Sequence, residues 1–158
     1  MARRRAATQE RADERAREGR RHGAWAARTA RRVRGRAKRL ETAIARTGDR
    51  FAPEPLHRVR VAAKKLRYAL ELAEGPRRSA LVATLRRAQG ELGDLHDLVV
   101  LRALVADALE GSAPAHRAGL RRLSSLALRE CRALHARYLT RRPRLVQCCA
   151  EARGVSGA

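Results

Sequence analysis

The chain has 158 residues, and its 37 Lys and Arg against 16 Asp and Glu give a formal net charge of +21 at pH 7. This length predicts one domain, or one domain with a tail, and the charge makes nucleic acid, polyphosphate and an anionic membrane surface candidate partners. No apolar run approaches the roughly 20 residues of a membrane span, and no apolar segment follows the N-terminal arginines. We therefore expect a cytoplasmic protein with neither a signal peptide nor a membrane partner.

The N-terminal part of the chain is its most basic part. Residues 1–50 contain 17 Lys and Arg against six Asp and Glu, a net charge of +11. Nearly all the cations are arginines, which suit phosphate oxygens, although a GC-rich genome gives the same bias. Residues 1–20 lack large apolar groups, which predicts a basic arm that is disordered or a frayed helix. An apolar stripe then predicts a first helix from about Ala24 to Ala45 or Arg46.

The second predicted helix starts near Pro55 and ends at Gly75 and Pro76. Winding it at about 100° per residue separates an apolar face from a cationic face. The apolar face gathers Val59, Ala62, Ala63, Leu66, Ala69 and Leu70. The cationic face gathers His57, Arg60, Lys64 and Arg67, flanked by Arg58 and Lys65. Cations about one turn apart suit a ligand with many evenly spaced negative charges.

Helical patterns continue to the end of the chain, and no alternating strand pattern is seen. A third helix begins near Pro76, and LGDLHD at 92–97 either kinks or breaks it before a segment at 95–110. The last long helix is expected over about 115–140, with Pro143 ending it. These elements predict an all-α antiparallel bundle of four to five helices at 21–143. A short tail is expected to follow at 144–158.

Asp94, His96 and Asp97 form the one cluster that resembles a metal or acid–base site. A structural role explains the two carboxylates better, because Asp94 fits a helix N-cap and Asp97 is placed to pair with a cation of the second helix. The pattern shows no nucleophile–base set, no phosphate-binding glycine loop and no metal constellation. We therefore expect no catalysis and no cofactor.

The remaining histidines and the cysteines are expected to have no chemical role. His116 and His135 are isolated on an arginine-rich helix, which indicates surface or partly packed side chains. Cys131, Cys148 and Cys149 lack paired ligand spacing, so they are expected to be reduced thiols.

Two blocks of the sequence resemble the CHAD family, the conserved histidine α-helical domain. HRVRVAAKKLRYALEL at 57–72 matches its pattern of a His, an Arg three residues on, a basic pair, Leu-Arg-Tyr and an acidic residue. LRRAQGELGDLHDLVVL at 85–101 resembles the second block, Leu-x-x-x-Gln followed by Leu-Gly-x-x-x-Asp. Both blocks occur in the family's order and at its separation.

The resemblance implies an all-helical protein that binds inorganic polyphosphate without catalysis. It implies phosphate contacts at His57, Arg60, Lys64 and Arg67, with Arg58 and Lys65 as weaker candidates. Members are often bacterial or archaeal; many adjoin a CYTH triphosphatase domain, whose strands and Glu-x-Glu-x-Lys run this sequence lacks. Others associate with intracellular polyphosphate granules.

A full family member has two bundles in tandem around a basic pore, each with its own His-Arg block. This sequence carries one block, and its Leu-Arg-Tyr form resembles the second half, so we expect a half-length or truncated member. A homodimer that places two basic helices opposite each other, or closure around the ligand, would complete the cavity. The alternative function is non-specific binding of nucleic acid by a basic protein. An enzyme acting on polyphosphate is the third, weakest hypothesis.

Overall fold

The computed structural model describes residues 2–73 and 78–154, with side chains from Glu14 onward except that of Ala16. Four helices make up almost all of this part of the chain. They are α1 (Ala2–Ala45), α2 (Pro53–Glu71), α3 (Arg78–Gly111) and α4 (Pro114–Arg153). No strand occurs among the described residues. The all-α prediction is thus confirmed, with four helices.

The helices form a closed ring in which each packs against the next. The contacting pairs are α1 with α2, α2 with α3, α3 with α4, and α4 with α1. Side-chain contacts show the last closure, because Arg153 pairs with Glu41 and the Tyr138 hydroxyl lies 3.0 Å from the Thr47 hydroxyl. The result is an antiparallel four-helix bundle, as the short loops predict.

Leucine and alanine build the core between these helices. The expected apolar face of α2 is buried, with Val59, Ala63 and Leu66 fully enclosed and Ala62 half-buried. α1 contributes Val33, Ala37 and Leu40, each also fully buried. Small alanines let helix backbones approach closely, so a chain with few aromatic residues still closes a continuous core.

α1 is much longer than the apolar stripe predicts, because it begins at Ala2 and not near Ala24. The added segment is rich in Ala, Arg and Glu, which have high helix propensity. Once the packed part of the helix has formed, each further residue extends it at little cost.

α3 is continuous across residues 92–97, so the expected kink or break is absent. Leu92 and Leu95 are both buried, and burying them on one face requires helical geometry throughout this stretch. Asp94 is consequently exposed in the middle of a helix and does not cap one. The interpretation of Asp94 as an N-cap is wrong for this reason.

α4 continues through Pro143 to Arg153, whereas the sequence prediction ended the helix at this proline. Pro143 itself is exposed. Beyond it the helix buries Leu145, Cys148, Cys149 and Ala152. Burial of these four side chains outweighs the backbone hydrogen bond that proline cannot make.

The helices differ in length, so part of the bundle has only two of them. α2 has 19 residues, whereas α3 has 34 and α4 has 40. His57, near the start of α2, lies beside His96 of α3. Since α3 runs on to Gly111, it continues well beyond the N-terminal end of α2. We call residues 97–111 together with 114–132 the α3–α4 hairpin.

Candidate functional site

The outer face of α2 carries all six cationic residues that the sequence selected. Its centre and its α1 side expose Lys64, Arg58 and Lys65, whereas His57, Arg60 and Arg67 are half-buried. Because consecutive residues turn by about 100°, Arg60 and Arg67 lie on the side toward α3, and Arg58 and Lys65 lie on the side toward α1. α2 therefore brings the predicted residues together on one helix but distributes them over two borders.

At the α3 border, Arg67 is held by neighbouring side chains. Its Nε donates to Gln89 Oε1 at 3.1 Å, and its terminal nitrogen donates to Glu71 Oε1 at 2.7 Å. Arg86 of α3 reaches the same Glu71 oxygen at 3.1 Å. This cluster of two guanidinium groups around one carboxylate fixes the position of Arg67 and uses part of its hydrogen-bonding capacity.

The charge state of Glu71 follows from this cluster. Desolvation alone would raise its pKa, but the hydrogen bond from Arg86 and the charge and hydrogen bond of Arg67 outweigh that effect and lower the pKa below its ordinary value. Glu71 is thus ionised at neutral pH, and it neutralises part of the positive charge at this border.

His57 and Arg60 pack directly against α3. The rings of His57 and His96 lie 4.8 Å apart, and Arg60 Nε lies 3.9 Å from the position that a Cβ on Gly93 would take. Nδ1 of His57 and Nε2 of Gln89 are shielded from solvent and have no hydrogen-bond partner. This border therefore keeps polar capacity that the protein does not use.

Tyr68 orders the cations at the centre of the face. The guanidinium carbon of Arg67 lies 4.5 Å from the centre of its ring, and Nζ of Lys64 lies 5.8 Å from it. Both distances are within the range of cation–π attraction. Lys64 is otherwise exposed, so its ammonium group stays available to an anion.

At the α1 border an open groove separates α1 from α2. One section, about 360 Å³ in volume, is lined by His57, Arg58 and Lys65 from α2 and by Arg36 and Arg39 from α1. Ala43, Val61 and Ala62 form the apolar part of its lining. Five basic side chains thus line one concave surface, where the field of one sign is focused.

The groove extends in both directions along α1. A section of about 550 Å³ adds Lys38 and Arg46. A section of about 440 Å³, lined by residues of α1 alone, adds Arg28, Arg31 and Arg32. Arg39 lines all three sections, and Gly35 lines two of them. The result is a basic track, which we call the α1–α2 groove.

The arginines of α1 are the site residues that sequence reasoning missed. The sequence shows the excess charge of residues 1–50, but no role was predicted from it for Arg28, Arg32, Arg36 or Arg39. Their spacing of three or four residues places them on one helix face, opposite part of the apolar stripe. That regularity was a usable signal. Which helix they would face was set by the packing of α1 on α2.

The other sequence candidates lie apart from the groove. Asp97 is exposed, and among the described residues the ion pairs of the α2 cations go to Glu54 and Glu71, not to Asp97. His116 is exposed, whereas His135 is buried against Phe51, at a ring distance of 5.7 Å. Desolvation and the nearby Arg142 lower the pKa of His135, which keeps it neutral at neutral pH.

The three cysteines are free and buried. Burial raises the pKa of the thiol to about 11 in Cys148 and to about 12 in Cys149, and it also raises the pKa of Cys131. These side chains are therefore neutral core residues, in agreement with the expectation of reduced thiols.

The described residues contain neither a metal-binding cluster nor a membrane-spanning helix. No group of three or more His, Cys, Asp or Glu side chains in them is arranged to hold a metal ion. Among the same residues, no helix combines the length and the apolar character that crossing a membrane requires.

Comparison with known proteins gives one match. A family model described as the CHAD domain matches residues 2–106, which includes both blocks noted in the sequence and the whole of α1 and α2. No curated protein and no solved structure shows a significant match to this chain.

Proposed function

The chain belongs to the CHAD family, and from this premise we propose that it binds inorganic polyphosphate along the α1–α2 groove without catalysing a reaction. CHAD domains as a class are associated with binding of polyphosphate or triphosphate. The observation that carries the proposal for this chain is the track of basic side chains from two helices around one open groove.

The shape of the groove favours a thin polyanion. Polyphosphate is a single flexible strand with about one charge per phosphate, so it can lie between two helices and meet cations from both. Arginine can donate two hydrogen bonds to one phosphate group, and Arg36, Arg39 and Arg58 lie on opposite walls of the groove. A nucleic acid duplex is a stiff rod, so we expect it to meet fewer of these cations than a single flexible strand does.

The two borders of α2 have different roles in this proposal. Arg58 and Lys65 contact the ligand together with the arginines of α1. Lys64 extends the contact across the centre of α2, and Arg67, already held by Glu71 and Gln89, contributes mainly charge. Association with polyphosphate granules would follow from such binding.

A charge-matched pair of double variants tests the site. Arg39→Ala with Lys65→Ala removes one cation from each wall of the groove. Arg137→Ala with Arg144→Ala removes the same charge from exposed positions of α4. Charged hydrogen bonds contribute roughly 1.5–3 kcal/mol each. We therefore expect the groove variant to bind a labelled polyphosphate more than about tenfold less tightly and the α4 variant to change much less.

Titrations by fluorescence anisotropy would measure both affinities. Equal losses would mean that net charge matters and the groove does not. Adding excess duplex DNA to the labelled complex tests the alternative ligand. We expect weak displacement, and complete displacement at equal phosphate concentration would favour nucleic acid as the partner.

A further inference from the structure

The α3–α4 hairpin exposes an unusual number of large apolar side chains. Leu104 is 61% exposed and Val100 is 44% exposed on α3, while Leu123 is 40% exposed and Leu126 is 43% exposed on α4. Single exposed leucines are normal on a protein surface, but a contiguous group marks an interaction surface.

Two leucines on each helix lie in a row with the spacing of a helix-packing seam: the half-buried Leu101 with Leu104 on α3, and Leu123 with Leu126 on α4. The ends of each row are small or charged residues. On α3, Asp97, Leu101, Leu104 and Ala108 are separated by four, three and four residues. On α4, Gly119, Leu123, Leu126 and Glu130 have the same separations. A seam with this repeat is what two helices bury when they pack at a shallow angle. Within the hairpin, α3 and α4 pack on each other through a different side of each helix, so the leucine seam has no partner within the described chain.

The two seams lie on the same side of the hairpin. Within the hairpin, Val105 of α3 and Ala127 and Cys131 of α4 are buried, which marks the sides on which the two helices face each other. At 100° per residue, Leu101 and Leu104 lie about 40° and 100° before Val105, and Leu123 and Leu126 lie at the same offsets before Ala127. Because the helices are antiparallel, equal offsets place all four leucines on one flank, away from α1 and α2.

The two helices of this hairpin carry opposite charge. Residues 97–110 contain Asp97, Asp107 and Glu110 against the single Arg102, a net charge of −2. Residues 114–132 contain five arginines against Glu130, a net charge of +4. A second hairpin turned by 180° would bring the acidic α3 of each copy onto the basic α4 of the other. At 100° per residue, Asp97 and Asp107 lie on the leucine side of α3, and Arg122 and Arg129 lie at the edge of the leucine side of α4. These are the side chains that would meet, so the surface is complementary to itself.

We propose that two copies of this chain associate through the leucine flanks of their α3–α4 hairpins. A twofold axis makes such an interface close on itself, and the alternation of acidic and basic helices fixes its orientation. The sequence alone led us to expect a dimer with the two basic helices of α2 opposite each other. The hairpin dimer instead leaves both α1–α2 grooves facing outward.

This geometry makes the assembly bivalent. α1 and α2 lie across the ring from the α3–α4 layer, so the two grooves open on opposite sides of the dimer. If the proposed polyphosphate binding holds, one dimer can then link two chains, or two segments of one chain, with the gain in avidity that two tethered sites provide. The pairing of two chains of charge +21 each should be weak at low salt and stronger once salt screens the repulsion.

Light scattering on the full chain at moderate salt tests the dimer. We expect a molar mass that rises toward that of two chains with concentration. Leu104→Glu with Leu126→Glu should shift the dissociation constant upward by at least about tenfold while the circular dichroism of the helices is unchanged. Leu72→Glu, at a 54% exposed position on the other side of the bundle, is the control and should dimerise normally. A wild-type chain that stays monomeric at all salt concentrations would overturn the proposal.

Charge reversal tests the orientation independently of the leucines. One variant carries Asp97→Arg with Asp107→Arg, and another carries Arg122→Glu with Arg129→Glu. Each alone should be monomeric, because the substituted side chains then have the same sign as the side chains that they oppose on the partner helix. An equimolar mixture should form heterodimers, since both halves of that interface become attractive. A mixture that stays monomeric would refute the proposed pairing of α3 with α4.

Binding of short and of long polyphosphate distinguishes failure of the dimer from failure of the proposed function. The double glutamate variant should bind a short polyphosphate as wild type does, because its groove is intact. We expect wild type to become turbid with long polyphosphate, because a bivalent dimer cross-links the chains, and we expect the variant to stay clear. A wild-type chain that dimerises but does not bind polyphosphate would refute the proposed function without affecting the dimer proposal.

Discussion

At the scale of single residues, the cations on the outer face of α2 differ in how much of their hydrogen-bonding capacity is already used. Arg67 donates to Gln89 and Glu71, whereas Lys65 is exposed and makes no ion pair in the described structure. An exposed cation binds an incoming anion without first breaking an internal contact. The position of these residues on a helical wheel therefore does not show how available each is to a ligand. Their existing hydrogen-bond and ion-pair partners do.

Glu71 offers a test of this point. It neutralises Arg67 and Arg86, so Glu71→Gln should release both guanidinium groups and raise the affinity for polyphosphate by a few-fold. Surface ion pairs contribute little, which limits the gain. The same titration by anisotropy measures it, and Glu54→Gln, which removes an exposed partner of Arg58, gives a comparison at the groove. A clear loss of affinity would mean that Glu71 serves to orient Arg67 for the ligand.

The lowered pKa of Glu71 also sets a pH dependence. A carboxyl whose pKa is lower in the folded state stabilises that state above its unfolded pKa, here the ordinary value of 4.5. The contribution is lost as the pH falls through the folded pKa. Binding and stability measurements near neutral pH therefore report on the intact cluster.

At the scale of elements, α4 shows how burial on both sides of a proline maintains a helix. Pro143 lies between the buried residues Tyr138 and Leu145, and both belong to the same core. The free energy lost with the missing backbone hydrogen bond is offset by burial of the side chains on both sides of Pro143.

Pro143→Ala should therefore stabilise the protein. Alanine restores the amide donor and is favoured over proline by up to about 3 kcal/mol inside a helix. Because the helix has already adapted to the proline, we expect a gain of roughly 1–2 kcal/mol in the free energy of unfolding. Urea denaturation followed by circular dichroism measures this gain. An unchanged or lower stability would show that Pro143 itself is needed for the packing of Leu145 and Cys148.

At the scale of the whole molecule, the charge of +21 opposes the compact state through self-repulsion. A polyanion in the α1–α2 groove would remove part of that repulsion and bind only the folded chain. The melting temperature should therefore rise with polyphosphate concentration, and the rise should shrink as salt increases, because counterion release drives the binding. Differential scanning calorimetry at low and moderate salt measures both effects. A shift that does not depend on salt would contradict an electrostatic mechanism.

The sequence by itself determined the helical class, the basic face of α2 and the family resemblance. Each depends on local information: the 3.6-residue period of Val59, Ala63, Leu66 and Leu70 specifies which side of α2 is buried, and its cations must then lie on the other side. The absence of alternating patterns likewise led to an all-α bundle before any packing was known.

Only the tertiary structure decided where these faces meet. Leu92 with Leu95, and Leu145 with Cys148, are buried by other helices, so packing overrode the local signals of Gly93 and Pro143 that suggested breaks. The pairing of α1 with α2 likewise placed Arg36 and Arg39 opposite Arg58 and Lys65. Contacts between residues far apart in the chain depend on the relative rotation of whole helices, which no local pattern encodes. For that reason the sequence located half of the groove, and the fold supplied the other half.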